Sequence, residues 1–239
     1  MFAAKMRGDV VLISGDVSNG THLLKHLEMF EAAGAHALFV LGNHDFYGSS
    51  IKRVRGSLWN VSGYLTNLEE PTTIASDACV IGHDGWYDAR NGDYWRTTVE
   101  LADFGQIEDF RNTHQREVRL PVIEKLADEA VTVLRRRLVA ATAEYAHVVL
   151  VTHVPPYAAA ATYRGKVSDE QFQPFFSCRA AGEMLDEVMA SRPECRLTVL
   201  CGHSHGENTM IRAVNIVVHT AGATYGKPEI QQAWNLEIG

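Results

Sequence analysis

The sequence predicts an α/β layered sandwich formed by a single domain over residues 1–239. Short apolar runs rich in Val, Ile and Leu recur along the chain, each ending in Gly or a polar residue, as strands buried on both faces do. Several are separated by stretches of helical periodicity, while the last 50 or so residues are strand-rich. No repeat, low-complexity tract or Pro/Gly/Ser-rich linker divides the chain.

The predicted strands are VVLIS (10–14), ALFVL (37–41), ACVIG (78–82), HVVLVT (147–152), LTVLC (197–201) and NIVVHT (215–220). A helix is predicted over 21–34, with Leu23, Leu24, Leu27 and Phe30 on one face and Gly34 as its stop. A second runs from Pro121, placed in a first turn, to Tyr145, and a third covers 178–190. Segments 86–118 and 155–177 lack periodicity and are rich in aromatic, Arg and Asp residues. They read as long loops, where function concentrates.

Composition narrows the function classes. Hydrophobic residues make up 46% of the chain and charged residues 21%, enough to build a sizeable core. A net charge of −7 gives no support for a nucleic-acid or anionic-membrane surface. No apolar run approaches the ~18 residues of a membrane span. Cys79, Cys178, Cys195 and Cys201 have neither CxxC spacing nor disulfide-framework density, which suits free thiols. With no signal-peptide pattern in MFAAKMRGD, the expected location is cytoplasmic.

The chemistry gathers at strand ends. Strand 10–14 runs into Gly15-Asp16, strand 37–41 into Gly42-Asn43-His44-Asp45, strand 147–152 into His153, and strand 197–201 into Gly202-His203-Ser204-His205. In an open α/β sheet, ligands bind outside the carboxyl ends of the strands, so these side chains converge. Carboxylate, amide oxygen and imidazole suit borderline divalent ions, and the absence of a cysteine argues against structural zinc. The glycines before Asp16, Asn43 and His203 are expected to let the backbone turn sharply.

In order and spacing these blocks resemble the calcineurin-like metallophosphoesterase family, over nearly the whole chain from about Asp9. The resemblance implies a four-layer α/β/β/α sandwich holding two divalent ions, Mn, Fe or Zn. It implies that Asp16 bridges both ions, that Asn43, His153 and His203 complete one shell, and that His205 serves the other. His44 would face the substrate as general acid, with Asp45 in support. A hydroxide bridging the ions would attack phosphorus.

One block of the family is missing. It places Asp-x-His at the end of a first strand, and no Asp of this chain has His two residues on. Strand 10–14 then matches the family's second strand, the usual first strand is lacking, and MFAAKMRG resembles the tail of the helix that joins them. The expectation is an N-terminally truncated chain in which one ion keeps four protein ligands and the other only Asp16 and His205, and a sheet left with an unpaired edge.

The superfamily's protein Ser/Thr phosphatases carry Asp-Arg just after Gly-Asp, whereas here Val17, Ser18, Asn19 and Gly20 follow Asp16. A small phosphodiester or phosphomonoester, such as a nucleotide, is therefore the expected substrate. The rival reading is a catalytically impaired or non-catalytic interaction module on the same fold, against which the retained His44 speaks. His83, Trp86 and Arg164 are candidate substrate contacts. Phe172, Phe175 and Phe176 with Pro174 read as packing, His22 and His26 as a solvated helix face, and His219 as a satisfied core or loop histidine.

Overall fold

The structure is a computed structural model and describes residues 10–20, 22–224, 226–227 and 229–233. In chain order it forms β1 (Val10–Ser14), α1 (Leu23–Ala32), β2 (His36–Val40), α2 (Ile51–Ser57), β3 (Thr72–Ala75), β4 (Ala78–Gly82), α3 (Asp103–Gln106) and α4 (Arg116–Glu144). There follow β5 (His147–Val151), β6 (Thr162–Tyr163), β7 (Lys166–Val167), α5 (Gln173–Phe176), α6 (Arg179–Ala190), β8 (Arg196–Cys201), β9 (Asn208–Ala213) and β10 (Ile216–Thr220). None of the described helices is long and apolar enough to cross a membrane.

Side-chain alternation along the strands builds the layers. β1 and β2 pair in parallel as one small sheet, and β3-β4-β5-β8-β10-β9 form the other. Leu38 and Val40 of β2 meet Val80, Val149 and Val151 of the large sheet in a core between the sheets. Phe39 and Leu41 point the opposite way, to Leu23 and Leu27 of α1 and Ile51 and Val54 of α2. On the far side, Cys79, Ile81, Val148, Leu150, Leu197 and Val199 pack on Leu134 and Leu138 of α4 and Met184 and Leu185 of α6. Helix, sheet, sheet and helix thus stack in that order, as the resemblance implies.

Among the described residues, β1 hydrogen-bonds a strand on one side only, and Val10 is half-exposed. The segment MFAAKMRG lies outside the described residues. The edge strands β3 and β9 escaped sequence reading because their exposure alternates and they carry few large apolar residues. The long helix differs from expectation as well. It opens at Arg116, so Pro121 sits at its sixth residue and not at its start. Leu120, Ile123 and Ala127 pack into the core on either side of the proline, and that burial outweighs the backbone bond lost to the ring.

Two buried charges tie the layers together near the strand ends. Arg137 of α4 donates to the carbonyls of Leu65, Thr66 and Gly82 at 3.0, 2.9 and 2.7 Å. Asp84, two residues past β4, accepts from the Leu41 N–H at 2.8 Å, Tyr64 Oη at 2.7 Å, Thr66 Oγ1 at 2.7 Å and Arg55 Nε at 2.8 Å. Its own carbonyl accepts from the His153 N–H at 3.0 Å. Burial opposes the charge on Asp84, but Arg55, His83 and these donors hold its carboxyl below the ordinary 3.8.

Removing one partner of a buried pair strands the other, so Asp84→Asn is expected to cost about 3 kcal/mol in urea unfolding. Because the folded-state value is depressed, the wild-type advantage is complete above the ordinary value of 3.8. It shrinks as pH falls through the lower folded-state value. An unchanged unfolding midpoint at neutral pH would overturn this role.

Candidate metal centre

The ends of β1, β2, β5 and β8 meet at one point. Gly15 and Gly42 let the first two approach: a Cβ on Gly15 would lie 2.6 Å from His153 Nδ1, and one on Gly42 would lie 2.6 Å from His153 Cε1. Gly15 has φ +94°, a region open to glycine. Gly42 has φ −101°, so it supplies space and not the sharp turn expected of it. The turns fall on the functional residues themselves, with Asp16 at φ 55°, His203 at 67° and His205 at 63°. Left-handed backbone at such residues costs of order 1 kcal/mol each and is held by its surroundings.

Asn43 Oδ1 lies 3.1 Å from His153 Nε2 and 3.0 Å from His203 Nδ1, and the two ring nitrogens are 3.2 Å apart. Asp16 Oδ1 stands 3.4 Å from His153 Nε2. The outer nitrogens fix the tautomers. His153 Nδ1 donates to the Ser14 carbonyl at 2.7 Å, and His203 Nε2 to the Phe175 carbonyl at 2.8 Å. Both inner nitrogens face the Asn43 amide oxygen, and that of His153 also faces the Asp16 carboxylate. Burial pushes His203 down to about 3, with His153 adding to the shift, so that ring is neutral. Metal–ligand bonds of about 2.1 Å at right angles place neighbouring donors about 3.0 Å apart. The observed spacing therefore fits a divalent ion.

Among the described residues no three His, Cys, Asp or Glu side chains form a metal-binding group by themselves; this cluster is completed by an amide. His205 stands close enough to Asp16, His44 and His153 to feel their charges. It lines the adjoining cavity, and its ring is lowered by burial while the Asp16 charge pulls the other way. For Asp16, burial raises the carboxyl, but the rings of His153, His44 and His203 and the His44 N–H together hold it below the usual range.

His44 also lines the cavity, a space of about 590 Å³. Its ring stacks on Tyr47 at 4.6 Å, and its Nδ1 meets Asn19 Oδ1 at 3.3 Å. Asp45 faces away and accepts from the N–H groups of Val17, Ser18 and Gly42 at 3.3, 2.7 and 2.9 Å. It thereby ties the loop after β1 to the loop after β2, a supporting position.

The other candidates are not brought here. Trp86 is buried against Phe46, Tyr87 and Phe110 in the core. His83 lines a separate cavity with Arg55 and Lys125. Arg164 occupies a two-residue hairpin turn between β6 and β7, at φ 50° beside Gly165 at 74°, the left-handed pair such turns demand. His219 binds Thr209 Oγ1 through Nδ1 at 3.0 Å, away from the cavity. Phe175 packs in the core, but Phe176, read as packing, lines the cavity with its ring edge-on to His203 at 5.3 Å. Sequence reading missed Asn19, Tyr47 and Asp103, which also line it. The one signal was that Asp103 falls in the aperiodic segment 86–118.

The family model for calcineurin-like phosphoesterase matches residues 2–207. Among solved structures, a dimetal phosphatase from Danio rerio superposes with a TM-score of 0.55 at 16% identity, covering 89% of this chain and 72% of that one. Identity that low carries the fold alone. No curated protein matches. With the family match extending over most of its length, and the motifs meeting at the strand ends, the chain belongs to the calcineurin-like phosphoesterase family.

Proposed function

We propose that the protein is a divalent-metal-dependent phosphoesterase that hydrolyses a small phosphodiester or phosphomonoester. The observation that carries this reading is the convergence of Asn43 Oδ1, His153 Nε2 and His203 Nδ1, 3.0 to 3.2 Å apart beside Asp16. Divalent ions bound here would polarise the phosphoryl oxygens and lower the pKa of a water. Asn43, His153, His203 and Asp16 would hold one ion, and Asp16 with His205 a second, less completely. Membership of the family and likeness to a protein described as a dimetal phosphatase support two ions.

His44 is the proton carrier in this reading. Its Nδ1 donates to Asn19 Oδ1, which leaves Nε2 as the atom that exchanges a proton with the leaving oxygen. Stacking on Tyr47 keeps the ring at the cavity wall. An imidazole suits the task because its ordinary pKa lies near neutral pH.

The cavity wall favours a small substrate of low charge. Leu101, Ala102 and Phe176 supply apolar surface, and Asn19 and Gln106 supply amides. Among the described residues none that lines it is Lys or Arg, which does not favour a polyanion such as nucleic acid. The converging lone pairs favour an enzyme over an interaction module, which has no use for them.

With Mn²⁺ supplied, metal analysis after dialysis is expected to find about one tightly held ion per chain and a second that washes out. His153→Ala should lose the tight ion. A wild-type chain that retains none would overturn the metal reading. His44→Ala should lower kcat by about 10²- to 10³-fold on an alkyl phosphoester, and far less on a p-nitrophenyl ester, whose phenolate departs without a proton. Equal losses on both substrates would remove His44 from the acid role.

A further inference from the structure

Asp103 is the feature that phosphoester chemistry does not itself explain. It opens α3, in the long segment between β4 and α4, and is 1% exposed. Its Oδ1 accepts from Asn43 Nδ2 at 2.7 Å and from Tyr47 Oη at 2.7 Å, and its Oδ2 from Tyr87 Oη at 3.0 Å. Among the described residues, no Lys, Arg or His lies within ion-pair distance of it. A buried carboxylate held only by neutral donors is costly, and an apolar side chain would stabilise a fold better.

The geometry points to Asp103 as the positioning residue that turns the Asn43 amide, so that its oxygen and not its nitrogen faces the metal. This rests on reading the cluster as a metal centre. Asp103 Oδ1 accepts from the Asn43 amino group, so that group faces Asp103 and the carbonyl oxygen faces His153 and His203. Without that demand the reverse orientation would be preferred in the metal-free protein. The amino group would donate to the lone pairs of His153 Nε2 and His203 Nδ1, now 3.1 and 3.0 Å from Oδ1. A flipped amide would close the site to a cation. The Asp103 charge also acts through the amide, making its oxygen a better ligand, as carboxylates behind metal-bound histidines do. Tyr87 joins the arrangement twice, donating to Asp103 and stacking its ring 6.0 Å from that of His203.

The test is Mn²⁺ binding to the full chain by calorimetry, with thermal melting to verify folding. Asp103→Asn is expected to weaken the tight site about 10- to 100-fold. Asn43→Asp should also weaken it, by setting two carboxylates against each other. The exchange variant Asn43→Asp/Asp103→Asn restores a donor–acceptor pair in reversed sense and keeps an oxygen toward the ion. It should bind within a few-fold of wild type, a recovery that a purely structural carboxylate does not predict. Wild-type affinity in Asp103→Asn, or an exchange variant as weak as the two single losses multiplied, would overturn the positioning role alone. A wild-type chain that binds no Mn²⁺ would overturn the metal reading with it. Should Asp103→Asn fail to fold, the exchange variant decides: near-wild-type binding supports the proposal, and absent binding overturns it.

Discussion

Asn43 Oδ1, His153 Nε2 and His203 Nδ1 crowd within 3.2 Å of one another at the mouth of the sheets. Much of the local architecture is arranged around that contact. The histidines cannot rotate away, because their outer nitrogens are engaged with the carbonyls of Ser14 and Phe175. The strands cannot separate, because Asp45 and Asp84 bind backbone N–H groups on both sides of the gap. The left-handed conformations of Asp16, His203 and His205 belong to the same bargain: backbone strain is accepted where it aims a side chain.

The division of labour between strands and loops follows from chain stiffness. Strand ends supply the candidate ligands because a sheet holds its termini within tenths of an ångström. The second hydrogen bond on each ligand has two sources. For His153 it comes from the Ser14 carbonyl at the end of β1, and for Asn43 and His203 the two long aperiodic segments provide it, Asp103 from 86–118 and the Phe175 carbonyl from 155–177. Phe176 then covers one face of His203. These segments look irregular because their geometry answers to the ligands rather than to a repeating lattice.

The legible part of the chain was the part governed by periodicity and by short motifs. Buried parallel strands carry dense Val, Ile and Leu runs, and the ligands follow them within a few residues, so both could be read without a structure. Position within one or two residues of a strand end proved insufficient, however. Asn43 reaches the centre, while His83, just beyond β4, accepts from the Gly85 N–H and lines a different cavity. Its neighbour Asp84 became the structural hub. Asp103 was illegible because its partner lies 60 residues away, and nothing in an aperiodic segment marks which acid will be buried. Pro121 misled for a related reason: helix propensity is local, but the packing of Leu120, Ile123 and Ala127 that carries α4 through the proline is not.

The charge balance around the centre favours a cation there. Asp84 has Arg55 as a counter-ion. Asp16, Asp45 and Asp103 share one buried region with neutral donors and a histidine. Burial, together with the Asp16 charge, pushes the Asp45 carboxyl up to about 8, yet its hydrogen bonds run the other way. Its side-chain partners among the described residues are backbone N–H groups, which favour an ionised acceptor and offer nothing to a carboxyl proton. A divalent ion neutralising the Asp16 charge would ease the conflict, since repulsion from Asp16 is the largest influence on Asp45 after burial itself. Ion binding and the bond network of Asp45 would then reinforce each other: the ion would favour ionised Asp45, and ionised Asp45 would hold the loops after β1 and β2 together beside Asp16 and Asn43.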